Sequence, residues 1–109
     1  MPHAEKEQEM NITKKLNDRV LEIALEGRLD TSSAPSLESE LKSSLQDIDY
    51  LIFDFAKLDY ISSAGLRVLL SANKEMLRNG KAPVSIANAN DIVREVFEVT
   101  GFSEILNIA

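Results

Sequence analysis

The chemistry open to this chain is narrow, and it centres on the stretch Tyr60-Ile61-Ser62-Ser63-Ala64-Gly65-Leu66-Arg67. Ser63 stands where an apolar strand gives way to an amphipathic helix, and a serine there has two possible roles. It can act as an N-cap, accepting a hydrogen bond from one of the first free helical N–H groups. It can also carry a phosphate, because those N–H groups and the macrodipole tolerate roughly -1.5 to -2 charges at a helix start. Such a phosphate would block a partner without unfolding the domain. Ser62, Thr31, Ser32 and Ser33 are open to the same two readings. The carboxylates Asp30, Asp54 and Asp59 form the other set. They could gather near strand ends, as around a divalent cation or a phosphorylated aspartate, or simply cap helices and solvate loops. A phospho-aspartate receiver also needs an acidic pair after its first strand, and Glu26 and Asp30 do not make one.

Other chemistry is excluded by composition. The chain has no cysteine, which removes disulfides, thiolate catalysis and cysteine metal sites. His3 is the only histidine, so neither a Ser-His-Asp arrangement nor an ordinary transition-metal site can be assembled. The four glycines, Gly27, Gly65, Gly80 and Gly101, are isolated and build no phosphate-cradling loop. The expectation is a protein without catalytic residues, metal or cofactor. A net charge of -6 with scattered Lys and Arg argues against nucleic acid as a partner. Met1 to Met10 are polar and acidic, unlike a secretory leader, and no apolar run approaches the roughly eighteen residues that span a bilayer. A cytoplasmic protein with no membrane insertion is expected.

At 109 residues and 44% hydrophobic content the chain makes one domain. Residues 1–9 lack periodicity and read as a flexible N-terminal tail, leaving 10–109 as the domain. Two strand-like segments, 10–16 and 19–25, flank a turn at Asn17-Asp18 and form an antiparallel edge pair. Pro35 fits only the first turn of a helix, whose stripe is Leu37, Leu41, Leu45 and Ile48. A central strand follows at 50–55, then a helix over 64–78 that Asn79-Gly80 stops. A strand at 83–87 and a helix from Asn90 to Gly101 complete the pattern, with Phe102, Ile105, Leu106 and Ile108 closing the core. Alternating strands and helices predict a mostly parallel sheet of four to five strands with three to four helices. Asp30, the Ser63 turn and Asn88 to Asn90 should meet at the carboxyl edge, where such sheets receive ligands and partners.

Ile61-Ser62-Ser63-Ala64-Gly65-Leu66, preceded by Leu51-Ile52-Phe53-Asp54-Phe55, resembles the STAS domain of bacterial anti-anti-sigma factors, also called anti-sigma factor antagonists. The likeness runs through Glu26-Gly27-Arg28-Leu29-Asp30 and Phe97-Glu98-Val99-Thr100-Gly101-Phe102, in the family's order. The resemblance implies a regulatory binding protein with no activity of its own. Its unphosphorylated form would bind an anti-sigma factor serine kinase and free the sigma factor; phosphorylation would break that complex, and a serine phosphatase would restore it. Aligning on Gly65-Leu66 puts the phosphoacceptor on Ser63. Asp30, Thr31, Ser62, Ala64, Gly65 and Arg67 join Ser63 in the implied contact surface. The family often has Asp before the acceptor and Ser or Thr after it, where this chain has Ser62 and Ala64, so Ser62 is a second candidate acceptor. The alternative within the family is a STAS interaction subunit without this switch, in a lipid-transport or signalling assembly.

Overall fold

The computed structural model describes residues 10–109; the expected tail at 1–9, with His3, lies outside the described residues. The sheet has five strands in the order β1-β2-β3-β4-β5. Strands β1 (Asn11–Asn17) and β2 (Val20–Leu29) form an antiparallel hairpin, and β2 then runs parallel to β3 (Tyr50–Ile61). On the far side β4 (Ser85–Ala87) and β5 (Asn107–Ile108) extend the parallel part. Helices α1 (Ala34–Lys42), α2 (Ser63–Arg78) and α3 (Asp91–Thr100) alternate with the strands, and a 3-10 turn, Phe102–Glu104, precedes β5. This is the small α/β domain that the pattern predicts, with its antiparallel edge pair.

The core lies on one face of the sheet. Leu21, Ile23 and Leu25 of β2 and Leu51, Phe53 and Phe55 of β3 point into it, and Leu37, Leu41, Leu69, Met76, Val93 and Phe97 cover them from the helices. The phenylalanines stack through the middle, with centroids of Phe55 and Phe97 6.4 Å apart. The opposite face, carrying Glu22, Ala24, Ile52 and Asp54, stays partly open. Burial of one face only gives β2 its alternation of apolar and polar residues.

Strand β2 runs on to Leu29, past the expected end at 25, and β4 begins at Ser85, two residues later than expected. Three further boundaries differ, each for a physical reason. The hairpin turn is Asp18-Arg19, because Asn17 pairs with Val20 and Asp18 takes the left-handed conformation at φ 57°. Helix α1 ends at Lys42, although Leu45 and Ile48 beyond it are still buried. There the Ser44 hydroxyl takes the Glu40 carbonyl at 2.6 Å, an alternative to continuing the helix. The largest difference is β3, which continues six residues past Phe55 to Ile61, giving a strand of 12 residues. Two register shifts against β2 each insert an extra residue into β3, so its buried side chains fall at Phe53, Phe55, Leu58 and Ile61 instead of strictly alternating.

Helix α2 is anchored at its far end as well. Lys81 N donates to Met76 O at 2.9 Å and Gly80 N to Leu77 O at 3.0 Å, with Gly80 left-handed at φ 76°. Asn73, buried in α2, accepts from Val84 N at 2.8 Å and ties the helix to the segment leading into β4. At the amino ends of the strands Asp49 accepts from Lys81 at 2.7 Å and Arg19 at 3.2 Å. These two cations, Lys81 first, hold the Asp49 carboxyl below its ordinary value.

Candidate functional site

The carboxyl ends of β2 and β3 are level, with Leu29 opposite Ile61, and both chains turn there into helices. Ser62 N donates to Leu29 O at 2.9 Å, and Ser62 O accepts from Leu66 N at 2.9 Å, so the first turn of α2 hangs from the end of β2. Gly65 makes this possible. A Cβ at that position would lie 2.6 Å from Leu29 Cγ and 2.9 Å from Ile61 Cγ1, closer than any real side chain sits. Leu66, Val68 and Leu69 are buried beneath, which fixes the rotation of the helix. The side chains left on the outside of this turn are Ser63 and Arg67, both exposed, with Ala64 half-buried between them.

The two serines are thereby separated. Ser62 occupies the cap position in extended conformation, while Ser63 is the first helical residue. The N-cap role expected of Ser63 therefore falls to the position before it. Yet no side chain caps α2: the Ser62 hydroxyl is buried without a hydrogen-bond partner among the described residues. Ser63 presents its side chain to solvent at the positive end of a 16-residue helix that has no acidic residue in its first turn. Gly65, read as part of a contact surface, is buried and acts through close packing.

Asp30 lies on the adjoining loop with its side chain 24% exposed. Its Oδ1 accepts from Ser32 N at 3.0 Å and from Ser33 N at 3.2 Å, and its Oδ2 stands 3.5 Å from Arg28 Nε. Buried Ser33 completes the loop, donating its hydroxyl to Arg28 O at 2.6 Å and accepting from Asp30 N at 3.0 Å. Arg28 is also stacked over Tyr60, with Cζ 4.4 Å from the ring centroid. Arg28 and Tyr60 are positioning residues that sequence reasoning missed, whereas Ser33, read as a possible helix cap, makes no side-chain cap bond and holds the loop instead. Their only signal would have been the Arg28–Tyr60 pairing, which exists because of the second register shift in β3. Between this loop and α2 is a shallow depression of about 270 Å³, lined by Thr31, Ala34, Pro35, Ala64, Arg67 and Val68 among others.

The structure does not bring the three aspartates together. Asp54 sits midway along β3, level with Ala24 and Ala87, seven residues before Ile61. Its Oδ1 accepts from Asn88 Nδ2 and from Ala56 N, both at 3.0 Å, and these bonds hold its carboxyl below the usual range. No group of three metal-ligating side chains occurs among the described residues. Asn88 to Asn90 do not reach the Ser63 edge either, because β4 is three residues long and ends level with Asp54. Asn90 instead caps α3 through Val93 N at 2.8 Å and donates to Leu58 O at 3.1 Å.

No helix among the described residues is long and apolar enough to cross a membrane. The STAS domain model matches residues 11–109. A Bordetella bronchiseptica protein, BtrV, which carries the name anti-sigma factor antagonist, is 37% identical over 101 residues, covering 92% of this chain and 86% of its own. The anti-sigma-B factor antagonist of Staphylococcus aureus is 27% identical over 100 residues, covering 91% of this chain and 92% of its own. Among solved structures, the anti-sigma factor antagonist SpoIIAA in its unphosphorylated form superposes with a TM-score of 0.79 at 20% identity, over 91% of this chain and 88% of its own. At that identity the likeness is one of fold. The chain belongs to the STAS domain family.

Proposed function

We propose that this protein is an anti-sigma factor antagonist whose binding is switched by phosphorylation of Ser63. In the unphosphorylated state, the face formed by Asp30, Thr31, Ser63, Ala64 and Arg67 binds an anti-sigma factor that is also a serine kinase, releasing a sigma factor. Phosphate on Ser63 weakens that complex, and a serine phosphatase reverses the modification. The protein itself is a cytoplasmic regulator that catalyses nothing.

The observation that carries this reading is the contrast between the two serines: Ser63 is exposed at the start of α2, whereas the Ser62 hydroxyl is buried. A kinase must reach the hydroxyl it modifies, and a phosphate must be accommodated afterwards. Ser63 meets both conditions, since the free N–H groups of the first turn favour an anion there. The names of BtrV and the Staphylococcus protein supply the partner class.

Incubation of the full chain with ATP in a lysate of the source organism, followed by phosphosite mapping by tandem mass spectrometry, tests the acceptor. Phosphate on Ser63, absent from Ser63→Ala, is the expected outcome. Phosphate on Ser62 or on an aspartate, or a chain phosphorylated on Ser63 that binds its partner as well as the unmodified chain does, would replace this reading with another.

A further inference from the structure

Arg67 has no assigned role beyond a place on the surface, and its surroundings define one. It lies four residues after Ser63 on α2, and both side chains are exposed on the same side of the helix. Helical Cα–Cβ bonds tilt toward the N-terminus, so a long side chain at i+4 leans back over position i. Arg67 therefore leans over Ser63. It forms no ion pair among the described residues. The first turn of α2 offers it no carboxylate, and Glu38 of α1, which lines the same depression, is not paired with it. Asp30, on the neighbouring loop, is already bound by Arg28 and by the backbone of Ser32 and Ser33.

On the reading that Ser63 is the acceptor, we propose that Arg67 is an internal phosphate receptor: when Ser63 is phosphorylated, the Arg67 guanidinium folds back one turn and binds the phosphate oxygens. The unmodified face carries a free guanidinium. The modified face carries none, because the phosphate holds it in charge-assisted hydrogen bonds beside the helix N-terminus. One modification thus adds negative charge and removes the available positive charge from the same face. Arg67 acts by positioning and charge, and takes no part in any bond made or broken at Ser63. The planar fork of an arginine suits this better than a lysine, whose ammonium binds phosphate as a point charge.

The test uses the full chain with phosphoserine installed at position 63 by translational incorporation, so it does not depend on whether a cellular kinase modifies that residue. The second ionisation of the phosphate is followed by ³¹P NMR in wild type and in Arg67→Ala, Arg67→Lys and Lys74→Ala, each shown folded by circular dichroism. Arg67→Ala is expected to raise the titration midpoint by about half a pH unit, from the loss of an i,i+4 ion pair with a divalent anion. Arg67→Lys should recover part of that shift, and Lys74→Ala, eleven residues from Ser63 on α2, should leave the midpoint unmoved. The ¹⁵N resonance of the Arg67 side chain should move on phosphorylation in wild type. Superimposable titrations of wild type and Arg67→Ala would overturn the proposal, as would an equal shift in Lys74→Ala. Phosphosite mapping to a residue other than Ser63 would instead remove the reading on which it rests.

Discussion

Leu29 fills the space in which Gly65 would carry a side chain, with Leu29 Cγ only 2.6 Å from where a Cβ would stand. That contact holds the first turn of α2 against the end of β2 and leaves Ser63 facing outward. Gly65→Ala gains about 1 kcal/mol of helix propensity but incurs an overpacking cost of about 1 to 3 kcal/mol at a buried contact. The expected result is a net loss of stability on chemical denaturation, with weaker partner binding because the turn is displaced. A stabilised Gly65→Ala variant would mean that the turn is not clamped.

The buried hydroxyl of Ser62 reverses the usual sign of a cap mutation. Loss of a serine N-cap ordinarily costs about 1 kcal/mol. Here the hydroxyl is desolvated without a partner, so Ser62→Ala should be neutral or stabilising by up to about 1 kcal/mol. Ser63→Ala, at an exposed first helical position, should change stability by less than about 0.5 kcal/mol. Denaturant midpoints of the two variants decide both points, and a loss of about 1 kcal/mol in either would identify a functioning cap.

Asn90 joins two elements, capping α3 through Val93 N and donating to Leu58 O of β3. Asn90→Ala should cost about 1 to 2 kcal/mol, more than an isolated cap, because the β3 carbonyl also loses its donor. Asn90→Asp retains the acceptor for Val93 N and should recover most of the cap contribution while losing the donor to Leu58 O. Equal losses in the two variants would place the contribution wholly in the bond to β3.

Acid should destabilise the fold through Asp49 and Asp54. The folded-state values of both lie below the ordinary aspartate value of 3.8, Asp49 through Lys81 and then Arg19, and Asp54 through Asn88 and then Ala56 N. A group depressed on folding contributes stability that is present above its unfolded pKa and lost as pH falls through its folded pKa. Thermal midpoints should therefore fall below about pH 4, near the unfolded aspartate value. Asp54→Asn should have a lower midpoint at neutral pH and a shallower acid slope. An unchanged slope would show that Asp54 is not one of the groups responsible.

Local signals account for most of the architecture, because the elements in question are fixed by local physics. Pro35 marks the start of α1, Gly80 and Gly101 end α2 and α3, and Asn90 caps α3. The length of β3 was not legible. Its apolar residues fall at Phe53, Phe55, Leu58 and Ile61, a spacing produced by register shifts against another strand that no local window contains. The same non-local feature hid the Arg28–Tyr60 stack and the distance between Asp54 and the Ser63 edge. Ser63 and its helix were readable, but which of two adjacent serines is exposed depends on the rotation of α2. Gly65, Leu29 and Ile61 set that rotation through packing.

The central claim is that charge at Ser63 switches partner binding off. The most direct measurement is capture of the anti-sigma factor kinase from a lysate of the source organism by wild type, Ser63→Ala and Ser63→Asp baits of matched stability, with the captured proteins identified by mass spectrometry. The account predicts that wild type and Ser63→Ala retain an ATP-binding anti-sigma factor and that Ser63→Asp does not. Equal retention of one partner by all three would contradict it, and would make the domain a constitutive interaction module with Ser63 as an ordinary surface residue.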